Sequence, residues 1–93
     1  MFVLHVAIKV KSGREQAAQD VFNGPFKPAI SAQPGFKDVR FLKPKEGGDH
    51  VLAIAFESQA QQQKWVATDL HTQVWGQMQA NFDGYTVNAY DTV

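Results

Sequence analysis

The chain has no cysteine and no long apolar run. Without cysteine it has no disulfide, no thiolate metal site and no cysteine nucleophile, which is typical of a protein from a reducing compartment such as the cytoplasm. No apolar stretch approaches the ~20 residues that span a bilayer. The apolar first residues also lack the basic region and cleavage site of a signal peptide. We therefore expect a soluble, cytoplasmic protein that does not bind membranes.

Charge of one sign and the common catalytic motifs are lacking as well. Nine Lys and Arg residues balance nine Asp and Glu residues without a basic patch, which argues against nucleic acid as a partner. There is no glycine-rich phosphate loop and no G-x-S-x-G motif, so nucleotide-binding and hydrolase functions have no support. His5, His50 and His71 are not at metal-ligand spacing. No metal and no cofactor are predicted.

Chain length bounds the architecture. Ninety-three residues suffice for one core, so residues 1–93 are interpreted as a single domain. The hydrophobic fraction of 44% is typical of a globular protein. A core of this size is marginal, and oligomerisation would add buried area.

Four stretches have the alternating pattern of β-strands. They are residues 2–10, 36–43, 50–57 and 85–93. Turns are predicted at residues 33–35, which contain Pro34 and Gly35, and at Asp83–Gly84.

Helices are predicted between the first two strands and between the last two. Ser12–Glu15 and Ser58–Gln61 have the S-x-x-E/Q form of a capping box, which predicts a helix start at each. The first helix is expected to break at Asn23–Gly24, before a short helix whose first turn contains Pro25. Thr68 indicates a break or a new cap in the later helical region.

The resulting order, β-α-β-β-α-β, predicts a ferredoxin-like α+β fold with a four-stranded antiparallel sheet and helices on one face. The other face of the sheet would then expose small apolar side chains. These are Val3, Ala7, Val51, Ala53 and Ala55. An apolar sheet face in so short a chain predicts a homodimer through this open face, with two-fold symmetry.

One segment carries a family resemblance. Phe56-Glu-Ser58 leads from a strand into a capped helix, Trp65 follows nine residues after Phe56, and His71 lies six residues further on. With the element order and the Pro34–Gly35 turn, the chain resembles the antibiotic biosynthesis monooxygenase-like family. That resemblance implies a dimeric α/β barrel with a pocket between the sheet and helices of each subunit.

The branches of this family differ in their reactive residues. The haem-degrading branch has an asparagine on strand one, a tryptophan on helix two and an iron-ligating histidine ten residues later. Trp65 matches that tryptophan, but Val6 and Trp75 stand at the other two positions. The anthrone-oxidising branch uses an asparagine and a tryptophan where this chain has Leu52 and Phe56. The quinol-oxidising branch is the most similar, through the histidine at position 71.

The resemblance implies His71 as the base that takes a proton from a phenolic substrate, a role that suits neutral imidazole. The alternative is a structural His71 that makes a buried polar contact or touches the dimer partner. Aromatic walls for a flat substrate are expected from five side chains. They are Trp65, Trp75, Phe56, Phe22 and Phe26. Core packing is the alternative for all of them, and the better interpretation for Phe22 and Phe56.

The remaining histidines and the two tyrosines are expected to have structural roles. His5 is expected between subunits, His50 at the surface, and Tyr85 and Tyr90 at the interface. The function that the resemblance implies is cofactor-independent oxygenation or oxidation of a small aromatic or quinol-like molecule by O2. The alternatives are a non-catalytic binder of an apolar small molecule, and an isomerase or lyase that works without O2.

Overall fold

The computed structural model describes residues 1–93 and has the predicted ferredoxin-like fold, with each helical region divided into parts. The strands are β1 (Phe2–Val10), β2 (Phe36–Leu42), β3 (His50–Phe56) and β4 (Phe82–Asp91). The helices are α1 (Glu15–Val21), a π-helical segment (Phe22–Phe26), α2 (Lys27–Ser31), α3 (Gln59–Val66) and α4 (Asp69–Gln79). No helix is long and apolar enough to cross a membrane.

The four strands form one antiparallel sheet in the order β2-β3-β1-β4. Val6 lies opposite Leu52 on one side and Val87 on the other, so these three side chains share a face. The helices pack on that face and form with it a core of 14 buried residues. The alternation predicted for β1 and β3 is confirmed, because Val6, Ile8, Leu52 and Ile54 are all buried.

The Pro34–Gly35 turn is confirmed. The Phe36 N–H donates to the Gln33 carbonyl at 3.2 Å, and Gly35 has a φ of +80°. Proline followed by a residue of positive φ is the pattern of a type II turn, which favours glycine at the second position. A Cβ on Gly35 would also collide with the side chain of Gln61, at 2.3 Å.

Both caps in the second helical region are confirmed. The Ser58 Oγ accepts from the Gln61 N–H at 3.3 Å and donates to its side-chain oxygen at 3.1 Å, which starts α3. The Thr68 hydroxyl accepts from the His71 N–H at 3.1 Å, which starts α4. The chain between the two helices therefore changes direction at Thr68.

The predicted capping box at Ser12–Glu15 is wrong. The Arg14 N–H donates to the Lys11 carbonyl at 3.0 Å, so Ser12 lies inside a turn completed by Gly13 with a φ of +78°. Arg14 is the N-cap of α1 and has no side-chain hydrogen bond to the helix.

Two further breaks predicted from the sequence are absent. The helix continues through Asn23–Gly24 because it widens into the π-helical segment, in which the Lys27 N–H donates to the Phe22 carbonyl. Pro25 lies inside this segment, where its missing N–H is accommodated by the wider turn. Asp83–Gly84 is part of β4, because a bulge opposite Lys9 absorbs the extra residue.

Candidate functional site

A cleft of about 420 Å³ lies between the helix-covered face of β1 and β4 and the helices α3 and α4. Of its 15 lining residues, 11 are hydrophobic. The sheet contributes Phe2, Leu4, Val6, Ile54, Tyr85, Val87 and Ala89, and the helical regions contribute Phe26, Gln59, Gln62, Gln63, Trp65, Val66, His71 and Trp75. Its volume and largely apolar lining suit a small organic ligand.

The cleft exists because the helices leave the edge strand β4 uncovered. Val87 faces the same side as the buried Val6, yet it is 50% exposed. Tyr85, two residues before it, is 42% exposed. Inward-facing side chains on an edge strand that no helix covers form one wall of an open groove, with α3 and α4 as the other.

Aromatic contacts link the two walls at one point and also connect the helical segments with one another. Trp75 meets Tyr85 edge to face with ring centroids 5.2 Å apart, and Phe26 meets Trp65 edge to face at 6.4 Å. Phe26 also contacts Trp75, at 6.3 Å. Contacts of this kind position planar walls for a flat ligand as well as stabilising the core.

His71 lies within this aromatic group. Its ring stands perpendicular to Trp65 with centroids 5.1 Å apart, and nearly parallel to Trp75 at 6.4 Å with an angle of 12°. Its ring nitrogens make no hydrogen bond within the chain. Burial lowers the pKa of His71 below its ordinary value of 6.5. The imidazole is therefore neutral near pH 7 and can accept a proton from a molecule in the cleft.

Thr68 fixes the position of His71 relative to Trp65. Its hydroxyl donates to the Trp65 carbonyl at 2.7 Å while it accepts from the His71 N–H at 3.1 Å. One side chain thus ties the last turn of α3 to the first turn of α4. The sequence marked Thr68 as a cap but gave no signal for its second bond.

Three of the five aromatic residues expected in the pocket line the cleft. These are Trp65, Trp75 and Phe26. Phe26 reaches it from the π-helical segment, a feature often found at functional sites.

Phe22 and Phe56 are placed elsewhere and do not line the cleft. Phe56 is fully buried and meets Phe36 edge to face at 5.9 Å. Phe22 is buried against Phe26 and Phe41, with centroid distances of 6.2 and 5.5 Å. Both are core residues, because Phe36 and Phe41 stand beside them on the edge strand β2.

The sequence reasoning missed the polar part of the cleft. Gln59, Gln62 and Gln63 line it, together with Val66 at the end of the same helix. Their spacing of three, four and seven residues places them on one helix face, which is the signal in the sequence that could have indicated this lining. Tyr85, expected at the dimer interface, lines the cleft, where it faces Trp75.

The other histidines lie away from the cleft. His50 was expected at the surface, but it is only 7% exposed and lies against Phe41 at 5.3 Å. Its Nε2 is buried without a hydrogen-bond partner, 3.9 Å from the Glu15 carboxylate. Glu15 in turn contacts Lys43 at 2.7 Å, and this hydrogen bond lowers the pKa of Glu15. No group of three or more His, Asp or Glu side chains is arranged to hold a metal ion.

His5 lies on the uncovered face of the sheet, as its position in β1 predicts. Its ring meets Tyr90 edge to face at 5.2 Å. These two residues are therefore separated from the cleft by the thickness of the sheet.

Known structures share this architecture. A conserved protein from Methanosarcina mazei superposes with a TM-score of 0.84 at 12% identity, covering 100% of this chain and 94% of that one. The heme-degrader MhuD from Mycobacterium tuberculosis, with two hemes bound in its active site, gives 0.80 at 20% identity, covering 100% and 96%. A mutant of SnoaB, a cofactor-independent oxygenase from Streptomyces nogalater, gives 0.85 at 12% identity, covering 98% and 91%. At these identities the similarity establishes the fold.

The sequence itself identifies the family. No curated protein matches the chain significantly. The family model described as antibiotic biosynthesis monooxygenase, however, matches residues 1–75, from β1 to Trp75 in the middle of α4. This segment includes His71 and most of the cleft, and the chain belongs to the antibiotic biosynthesis monooxygenase family.

Proposed function

We propose that this protein is a cofactor-independent monooxygenase or oxidase that acts on a small aromatic or quinol-like molecule with O2. His71 is the proton acceptor, and Trp65, Trp75 and Phe26 hold the flat substrate. The observation that carries the proposal is the half-buried imidazole of His71, which lies between two indole rings in the cleft and has no hydrogen-bond partner of its own.

The chemistry needs only a base and an apolar site. A neutral imidazole accepts the phenolic proton of a quinol, and the electron-rich anion that remains transfers electrons to O2. In an oxidation the quinol loses two electrons and two protons, and O2 becomes hydrogen peroxide. In a monooxygenation one oxygen atom enters the substrate, and the other leaves as water with two hydrogen atoms from the substrate. Both family membership and the name of SnoaB as a cofactor-independent oxygenase support this type of reaction.

A non-catalytic binder is the second candidate. Catalytic bases are usually oriented by a further hydrogen-bonding group, and the ring of His71 has none within the chain. In this case the same cleft carries or senses an apolar molecule, and His71 is only one of its walls.

Oxygen uptake by the purified, metal-free protein separates the two candidates. Hydroquinones and anthrones serve as substrates, and His71→Ala is compared with Gln73→Ala, which changes an exposed residue of the same helix outside the cleft. We expect uptake above autoxidation that falls by about 10²–10⁴-fold in His71→Ala, the usual contribution of a general base, and is retained in Gln73→Ala. Ligand binding without uptake in any variant would favour the binder.

We also propose a homodimer through the uncovered face of the sheet. No helix packs on this face, where Val3, Ala53 and Ala55 lie side by side on paired strands. Light scattering at micromolar concentration is expected to give about twice the chain mass of 10.4 kDa. Ala53→Arg should give a monomer, and Ala60→Arg, on the exposed side of α3, should not. A monomeric wild type would refute the proposal.

A further inference from the structure

The polar groups of the cleft are concentrated on one helix. Gln59, Gln62 and Gln63 all line it from α3, and none of their side-chain amides makes a hydrogen bond within the chain. Gln61, on the same helix, is engaged instead with Ser58 at 3.1 Å. The three remaining amides thus present unpaired donors and acceptors to whatever enters the cleft.

The cleft contains no formal charge. None of its 15 lining residues is Lys, Arg, Asp or Glu, and burial lowers the pKa of His71, the one titratable group of the helical wall. A carboxylate or sulfonate drawn into such a site would lose hydration without meeting a cation, which is unfavourable.

The wall opposite the glutamines is apolar. Leu4, Val6, Val87 and Ala89 lie next to one another on the paired strands β1 and β4. A flat ligand can rest one face on this wall while one edge points to α3. The apolar wall therefore suits the face of a flat ligand, and the glutamines suit polar atoms along its edge.

We propose that Gln59, Gln62 and Gln63 determine specificity by binding neutral carbonyl or hydroxyl oxygens along one edge of a planar aromatic ligand. The cleft correspondingly rejects aromatic ligands that carry an anionic group. This inference rests on the proposed function only in placing the ligand in the cleft, and it makes no use of turnover.

Equilibrium binding to the full chain, measured by tryptophan fluorescence and by calorimetry, tests the proposal. The probes are naphthoquinone, naphthalene and a sulfonated naphthoquinone. The three glutamines are replaced by leucine singly and together, and Gln62→Lys adds a cation to the cleft. Gln73→Leu and Gln73→Lys, on the exposed side of α4, are the matched controls. Melting curves confirm that each variant is folded.

We expect wild type to bind naphthoquinone roughly 2- to 10-fold more tightly than naphthalene, the value of one hydrogen bond, and at least about tenfold more tightly than the sulfonate. The leucine variants should lose the preference over naphthalene, and Gln62→Lys should gain affinity for the sulfonate. Equal affinity for the neutral and sulfonated probes, or leucine variants equal to Gln73→Leu, would overturn the inference and leave the proposed function standing. Binding of none of the probes would overturn both.

Discussion

Replacing Thr68 with valine tests whether this one hydroxyl holds the two helices of the site together. Valine keeps the shape of threonine and removes both hydrogen bonds, the one donated to the Trp65 carbonyl at 2.7 Å and the one accepted from the His71 N–H at 3.1 Å. Loss of an N-cap side chain costs about 0.5–2 kcal/mol. The Trp65 carbonyl still accepts from the Thr68 N–H at 3.1 Å, so the loss of the hydroxyl's own bond to it adds about 0.5–1.5 kcal/mol.

We therefore expect Thr68→Val to lower the free energy of unfolding by about 1–3 kcal/mol, and Tm by roughly 5–20 °C for a chain of this size. Thr68→Ser keeps the hydroxyl and should restore most of the loss. Thr72→Val makes the same chemical change at an exposed position of α4 and should shift stability by less than about 0.5 kcal/mol. Urea and thermal denaturation measure all three. A Thr68→Val protein as stable as Thr72→Val, or a Thr68→Ser protein as unstable as Thr68→Val, would refute the reasoning.

Three further predictions concern single residues. Gly35→Ala should lower the free energy of unfolding in urea by about 1 kcal/mol, because alanine disfavours the φ of +80° even if the Gln61 side chain moves away from the new Cβ; no loss would contradict the turn. Burial lowers the pKa of His71 below its ordinary value of 6.5, so on acidification the unfolded chain takes up this proton before the folded chain does. The contribution of His71 to the free energy of unfolding is therefore complete above pH 6.5 and is lost as pH falls from 6.5 toward the pKa of the folded state. Stability of wild type should therefore fall more steeply with acid than that of His71→Gln, and equal slopes would exclude this contribution. His50→Phe should leave stability unchanged or raise it by about 1 kcal/mol, because it removes the unpartnered Nε2 and keeps a ring beside Phe41; a large loss of Tm would show that Nε2 is partnered in solution.

The strands could be predicted because their signal is local. Side chains in β1 and β3 alternate between more buried and more accessible positions, and this period of two is visible in the sequence without any partner strand. Gly35 and Ser58 were predictable for the same reason, since a type II turn and a serine cap depend on residues within four positions of each other.

The errors arose where a local signal competes with a contact from elsewhere. Asn23–Gly24 favours a helix end, but burial of Phe22 and Phe26 against one core keeps the chain helical through a π-turn. Asp83–Gly84 favours a turn, but pairing with β1 extends β4 through it. His50 is polar and follows a loop, yet its place in β3 directs the ring inward beside Phe41.

The residues of the candidate site were predictable only in part, and its geometry was not. Three of the expected aromatic residues and His71 line the cleft. The glutamines were missed because their role depends on β4 lying uncovered at the sheet edge, which follows from the strand order and not from α3. Phe22 and Phe56 were included because aromatic character alone does not distinguish a wall from a core.

The break between α3 and α4 explains why His71 and Trp65 meet at all. On one continuous helix, residues six positions apart would point about 120° away from each other and lie about 9 Å apart along the axis. Thr68 has an extended ψ of 149°, which ends α3 and turns the first residues of α4 toward it. This turn brings the two rings to 5.1 Å, while His71 and Trp75 remain stacked one turn apart on α4. The three rings therefore depend on the irregular residue between the helices, and Thr68→Val should weaken ligand binding in the cleft as well as stability, whereas Thr72→Val should affect neither.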